Sequence, residues 1–275
     1  MKIAIVGCGN LGTSLARGLL RSKENEIQLR LCDRSVAKTD RIVGEYLNKE
    51  VFTTTDPREA ARGADVVIIA VKPKDVHKTL LHLKESLGAE TLLVSCATGV
   101  EVSDMENTLG RRAAIARAMP NTAVSVWAGT TGIFLGPHCD VARDENRLKH
   151  VFGAISDVRA VSDEDLLHAV TGLCGSGPAF VLVMLEAMTE AGVRSGLSRS
   201  DAEFFAKGAF KAATALMHHS DLPPAGLRAQ ITSPGGTTIE GLYCLEKGGF
   251  RSVVMEAVDE AVLRSEELAH INASR

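Results

Sequence analysis

Short continuous apolar runs alternate with amphipathic stretches up to about Ser162, and long helical periods take over after it. Residues 3–6 predict a first buried strand, closed by Gly7, and a helix opens behind it and runs to about Leu20. A second strand, 27–32, ends at Asp33. Residues 66–71, preceded by Asp65, form an unbroken apolar run typical of a parallel strand covered on both faces, and it ends in Lys72-Pro73. Residues 91–95 lead into Cys96-Ala97-Thr98-Gly99. Residues 113–116 make the next strand, followed by Arg117-Ala118-Met119-Pro120-Asn121-Thr122. Such alternation predicts a doubly wound α/β sheet.

Beyond Ser162 a helix from about Glu164 leads into Thr171-Gly172-Leu173-Cys174-Gly175-Ser176-Gly177-Pro178. A second helix, 178–195, carries Pro178 in its first turn, where the missing N–H costs nothing. A third spans 199–218 and stops before Asp221-Leu222-Pro223-Pro224. A short helix, 239–245, follows Thr232-Ser233-Pro234-Gly235-Gly236-Thr237-Thr238. The last, 250–269, places Val254, Ala257, Val258, Ala261 and Val262 on one stripe. So many apolar faces in so small a helical set favour burial against a second subunit. The expected organisation is a Rossmann dinucleotide-binding domain over residues 1–162 and an all-helical dimerisation and substrate domain over 163–275.

Bulk properties narrow the picture. A chain of 275 residues, 45% hydrophobic and 24% charged, has the composition of a soluble globular protein. A net charge of −3 gives no reason to expect nucleic acid or an anionic membrane as partner. The six cysteines are scattered without CxxC pairs or zinc-ligand spacing, so reduced thiols and no metal site are expected. The apolar start at Ile3 stops at Gly7, too early for a signal peptide, and no uninterrupted apolar stretch approaches the roughly 20 residues of a membrane span. A cytoplasmic protein is the expectation.

Two constellations carry chemistry. The first is Gly7-Cys8-Gly9-Asn10-Leu11-Gly12, between a strand and a helix. Gly7 permits the tight turn, Gly9 lets a pyrophosphate approach the backbone, and Gly12 allows close helix packing. Asp33, about 20 residues further on, is where a carboxylate binds the adenosine ribose of NAD. Arg34 and Ser35 follow at once and suit a 2′-phosphate, so both NADH and NADPH stay open. Ala70, Val71, Lys72 and Pro73 close a strand where such sheets present their ligand crevice, and Ala97 begins a loop expected beside the nicotinamide. A solvated loop lysine is the alternative reading of Lys72.

The second constellation is the Pro-Gly-Gly-Thr-Thr break. It delivers Ser233, Gly235, Gly236, Thr237 and Thr238 to a helix start, where free N–H groups suit a carboxylate and hydroxyls donate without charge. An ordinary turn with an N-cap has the same sequence. Ser176, before another helix start, either closes the same pocket or serves close packing. Glu186 and Glu190 share a helix face more typical of solvent or an interface than of acid–base work.

Over nearly its whole length the chain resembles the pyrroline-5-carboxylate reductases. The likeness rests on Gly7 to Gly12, Ala70-Val71-Lys72-Pro73, Arg117 to Thr122, Gly175-Ser176-Gly177-Pro178, and the block from Leu227 through Glu246. The resemblance implies reduction of the cyclic imine 1-pyrroline-5-carboxylate to L-proline by NADPH or NADH, with NADPH favoured, as the last step of proline biosynthesis. It implies Thr238 as the catalytic hydroxyl, acting across a homodimer of interlocked helical domains, and such dimers often gather into rings. It also points to Asp221 near the ring nitrogen, although a surface acid fits as well. Ala97-Thr98-Gly99-Val100, Ala123 and Pro223 depart from the commoner family residues, and Asp33 departs from a purely phosphate-binding loop.

Related hydroxyacid dehydrogenases use a lysine on the helix after a Gly-Ser-Gly turn. Residues 178–191 contain no lysine, histidine or arginine. A carbonyl or alcohol reaction needs such a group, whereas imine reduction does not. The alternatives are reduction of a related cyclic imino acid, a hydroxyacid dehydrogenase, or a nicotinamide-binding protein without catalysis.

Overall fold

The computed structural model describes residues 1–22 and 27–273. The chain divides into two compact units: residues 1–175 together with the end of the chain from Ala261, and residues 176–260.

The first unit begins with β1 (Lys2–Val6), α1 (Asn10–Arg21), β2 (Gln28–Cys32), α2 (Val36–Gly44), β3 (Val51–Thr54), α3 (Pro57–Ala61) and β4 (Val66–Ile69). It continues with α4 (Val76–Leu83), β5 (Leu92–Ser95), α5 (Val102–Leu109), β6 (Ile115–Pro120), β7 (Gly129–Leu135), α6 (Val141–Gly153), β8 (Ser156–Ala160) and α7 (Leu166–Val170). The strands form one sheet in the order β3-β2-β1-β4-β5-β6-β7-β8, parallel except for β6 against β7. Every residue of β4 is buried, and its side chains alternate between two cores. Val66 and Ile68 pack with α1 and α6, while Val67 and Ile69 pack with α3, α4 and α5. Helices on both faces are why this strand is apolar throughout.

The strand expected at 113–116 instead runs from Ile115 to Pro120. Arg117 interrupts the apolar pattern, yet it is 1% exposed inside that strand. Its Nη1 donates to Glu164 Oε1 at 2.9 Å, and the same oxygen accepts the Val102 N–H at 2.8 Å. This pair, with the close approach of Val170 to Gly132, keeps α7 with the sheet. The first compact unit therefore continues past residue 162, through a π-helical turn at Thr171–Gly175.

The second unit holds α8 (Gly177–Arg194), α9 (Arg199–His218), α10 (Pro224–Gln230), α11 (Thr237–Lys247) and the start of α12 (Phe250–Ala273). Gly192 lets α8 approach Ala202 of α9 closely. Neither hydrophobic core cluster draws a residue from this unit. Leu182, Val183, Phe204 and Phe205 are each at least 60% exposed. The helical run Leu166–Arg194 holds an 18-residue stretch with a mean hydropathy of 1.6, long and apolar enough by length and composition to cross a bilayer, a feature the sequence does not lead one to expect.

The end of α12 belongs to the first unit. Ser265 and Ala269 are buried, and Ser265 Oγ lies 2.8 Å from His168 Nδ1. Gly99, at φ +68°, lies against the Ala269 backbone so closely that a Cβ there would come within 2.6 Å of the Ala269 nitrogen.

Candidate active site

The sheet reverses direction of growth between β1 and β4, and the carboxyl ends of these strands flank a crevice, as expected for a ligand site in an open α/β sheet. A cleft of about 530 Å³ opens there. Among its lining residues are Gly7, Gly9, Asp33, Arg34, Ser35, Ala70, Val71 and Lys72, all singled out from sequence, together with Lys38, Asp75, Lys78 and His82. Gly7 has φ +102°, and a side chain there would strike the Ala70 carbonyl. The space around Gly9 is open. Gly9 is also the N-cap of α1, with no side-chain cap and no acidic residue in the first helical turn. The amides of that turn and the helix dipole are therefore available to an anion. An open glycine, uncapped amides and a cleft of this size fit a dinucleotide pyrophosphate.

The remaining candidates from the glycine loop and sheet edge sit elsewhere. Gly12 is buried, and a Cβ on it would lie 1.8 Å from the Gly7 carbonyl oxygen, so its work is packing. Leu11 is half-buried and Ala97 buried, and neither lines the cleft. Asn10 lines a second cleft on the other side of Gly9, and Pro73 a third near the end of α12.

Asp33 is held from three directions. The Cys8 N–H donates to Oδ2 at 2.8 Å, the Ser35 N–H to Oδ1 at 3.0 Å, and Lys38 Nζ to Oδ2 at 3.3 Å. Burial alone would raise its pKa, but the two amides and the Lys38 ammonium outweigh it and hold the carboxyl below its ordinary value. Lys38 was not apparent from sequence. The only available signal was a lysine one turn into the helix after Asp33. Burial, reinforced by Asp33, pushes the Cys8 and Cys32 thiols up to about 12, which leaves them neutral and poor nucleophiles.

In the helical unit, Gly235 takes φ +65°, and the Gly236 N–H donates to the Ser233 carbonyl at 3.1 Å. A Cβ on Gly236 would collide with Ser233 Oγ. This tight turn starts α11 at Thr237, two residues before the expected Ile239. Gly236 is its N-cap, again without a side-chain cap. Ser233 and Thr237 are exposed and Thr238 half-buried, and no described residue hydrogen-bonds their hydroxyls. The turn thus presents amides and hydroxyls together. Ser176 flanks the start of α8 without capping it. Asp221, Glu186 and Glu190 are exposed. Among the described residues no cluster of His, Cys, Asp or Glu forms a metal site.

A doubly wound sheet with a glycine loop at its switch point defines a dinucleotide-binding protein of the oxidoreductase type. Comparison with known proteins narrows the class. Residues 2–99 match the NADP oxidoreductase, coenzyme F420-dependent family, and residues 164–268 match the pyrroline-5-carboxylate reductase dimerisation family. The chain is 36% identical to a pyrroline-5-carboxylate reductase of Arabidopsis thaliana over 98% of its own length and 95% of that protein's. It is 32% identical to that of Escherichia coli K12, over 98% of each chain. Its fold superposes on the Coxiella burnetii pyrroline-5-carboxylate reductase with a TM-score of 0.89 at 34% identity, covering 97% of this chain and 98% of the other. The NADP-bound Plasmodium falciparum pyrroline carboxylate reductase gives 0.86 at 28% identity, over 98% of each. The chain belongs to the pyrroline-5-carboxylate reductase family.

Proposed function

We propose that this chain is a cytoplasmic, NADPH-preferring reductase of 1-pyrroline-5-carboxylate, forming L-proline in the last step of proline biosynthesis, with NADH as a weaker cofactor. The observation that carries this is the pairing, in one chain similar to these enzymes throughout, of an uncapped glycine-loop cleft with an uncapped threonine turn. The reduced nicotinamide supplies the hydride that goes to the imine carbon. The rest is positioning by the protein.

The amides of the α1 start and the open backbone at Gly9 receive the pyrophosphate, and Ala70 to Lys72 bound the cleft. The amides of Ser233, Gly235 and Thr237, with the Ser233 and Thr237 hydroxyls, hold the substrate carboxylate at the start of α11. Thr238 donates a hydrogen bond to the ring nitrogen and fixes the imine orientation, and the proton that balances hydride addition reaches that nitrogen from solvent. An imine activated in this way needs no strong general acid, in keeping with an α8 whose first basic residue is Arg194, at its last position.

Thr238 of one subunit serves the cofactor bound by its partner, in a homodimer of interlocked helical domains that assembles further into a ring. The exposed apolar faces of α8 and α9 support a helical unit that is covered by a second copy, and the membrane-length run Leu166–Arg194 falls within the dimerisation match.

Cofactor oxidation assayed with pyrroline-5-carboxylate, with 3-hydroxy acids and without substrate tests the reaction. Turnover of the hydroxy acids alone would rule the reading out. Thr238→Ala should lower kcat about tenfold, the scale of one neutral hydrogen bond, with the cofactor Kd nearly unchanged. An unchanged kcat would remove the role assigned to Thr238.

A further inference from the structure

The loop that follows β5 leaves the sheet beside the main cleft. β5 pairs with β4 in register, Ser95 beside Ile69, and the Cys96 N–H donates to the Ile69 carbonyl at 2.9 Å. Ala70, the residue after β4, lines the cleft. Residues 96–101 therefore start one strand beyond the cleft wall, on the side away from β2. This loop is fixed at both ends. At its start the Ala97 N–H donates to Ser95 Oγ at 3.3 Å, and just past its end the Val102 N–H donates to Glu164 Oε1.

Its middle is held by the end of α12. Asn272 Nδ2 donates to two carbonyls at once, Gly99 at 3.2 Å and Thr98 at 3.5 Å. Gly99 is in the left-handed region, and the Ala269 backbone fills the space a side chain would need there. The helix end is itself docked, because Ala269 is buried and, one turn earlier, the buried Ser265 meets His168. Asn272 follows Ala269 at i+3, on the same face. It also lies beyond residue 268, where the match to the dimerisation family ends. Its side chain is half-buried and lines a cleft of about 310 Å³ together with Pro73, Lys74 and Val100.

That placement separates function from stability. Loss of the Asn272 amide widens an open cleft instead of leaving a sealed cavity, so the core is little affected. The two carbonyls then turn to water, and the loop keeps its hydrogen bonds but loses its fixed position. Hydride transfer feels such a change acutely, since a misplacement of about 1 Å can cost about 100-fold in rate. We propose that Asn272 is a positioning residue for hydride transfer: its amide fixes the loop at Thr98 and Gly99, and the loop fixes the nicotinamide end of the cofactor. This rests on the reading of the main cleft as the dinucleotide site.

Wild type, Asn272→Ala, Asn272→Asp and Asn272→Gln are compared by three measurements. These are hydrogen exchange of the ligand-free protein, binding of NADPH and of adenosine 2′,5′-bisphosphate, and single-turnover oxidation of NADPH by pyrroline-5-carboxylate. In Asn272→Ala the amides of residues 97–102 should exchange faster while those of β1 and β4 keep their wild-type rates. NADPH should bind several-fold more weakly and the bisphosphate, which lacks the nicotinamide, within about twofold of wild type. The single-turnover rate constant should fall about tenfold at full amplitude. Asn272→Gln keeps the amide and should recover most of the rate. Asn272→Asp keeps the shape but turns an oxygen toward both carbonyls, so it should not. An unchanged rate constant or unchanged loop exchange in Asn272→Ala would overturn the proposal. So would a wild-type rate in Asn272→Asp, which would make the role one of volume, or a loss confined to amplitude, which would mark a folding defect. If the wild type itself fails to reduce pyrroline-5-carboxylate, the reductase reading falls. Faster loop exchange with a selective loss of NADPH would then still uphold Asn272 as the residue that fixes the loop, and their absence would remove it as well.

Discussion

Gly9 and Gly12 sit three residues apart in one motif and do opposite work. Gly9 faces open space and has φ −73°, a conformation any residue adopts, so its missing side chain matters only to what enters the cleft. Gly12 faces the Gly7 carbonyl at a distance no Cβ can share. Gly9→Ala should fold with a thermal midpoint near wild type and bind dinucleotide several-fold more weakly. Gly12→Ala should destabilise the protein by about 1–3 kcal/mol, the cost of overpacking, and lose dinucleotide binding with it. Thermal denaturation beside cofactor fluorescence titration separates the two. At this scale the turn at Gly7 and the close packing at Gly12 were legible, because both follow from the spacing of the motif. Lys38 was not, since sequence gives no direction for a lysine one turn into a helix.

Among the elements, β1, β4 and β5 were readable because burial on both faces leaves them unbroken apolar runs. The strands β3 and β8 carry polar, partly exposed residues at the sheet edges and leave no such run. In β6, expected only as far as Ala116, it was a buried charge that hid the rest of the strand. Arg117 and Glu164 form an ion pair with Arg117 inaccessible to solvent, and Arg117 Nε finds no partner among the described residues. Glu164→Ala removes the only counter-charge seen on that guanidinium among the described residues. It should cost about 3–5 kcal/mol in urea denaturation. Arg117→Met, which replaces the cation with an apolar side chain, should cost clearly less. If the two variants were equally destabilised, desolvation of Arg117 would not be the governing term.

For the whole molecule, the expected boundary near residue 162 followed the last strand, whereas the compact unit extends to Gly175 and recovers the end of α12. Periodicity locates helices but does not say which core they join. The helical unit exposes Phe204 and Phe205, stacked edge to face, and Val183 on the neighbouring helix. Phe204→Glu should shift the protein toward monomer in sedimentation velocity and, if Thr238 serves the partner's cofactor as proposed, lower activity in proportion. A dimer that survives this change would move the interface off α9.

The docking of Ala269 on Gly99, with Asn272 Nδ2 donating to the Gly99 carbonyl at 3.2 Å, also bears on how the chain comes off the ribosome. N-terminal segments generally begin folding during synthesis, at about 5–20 residues per second. Here the loop after β5 is made early, but its seal in α12 is translated only after α8 to α11. The nascent sheet must therefore wait, incompletely closed, for the whole helical segment to emerge, so a ribosome that stalls late releases a chain defective at the loop it made first.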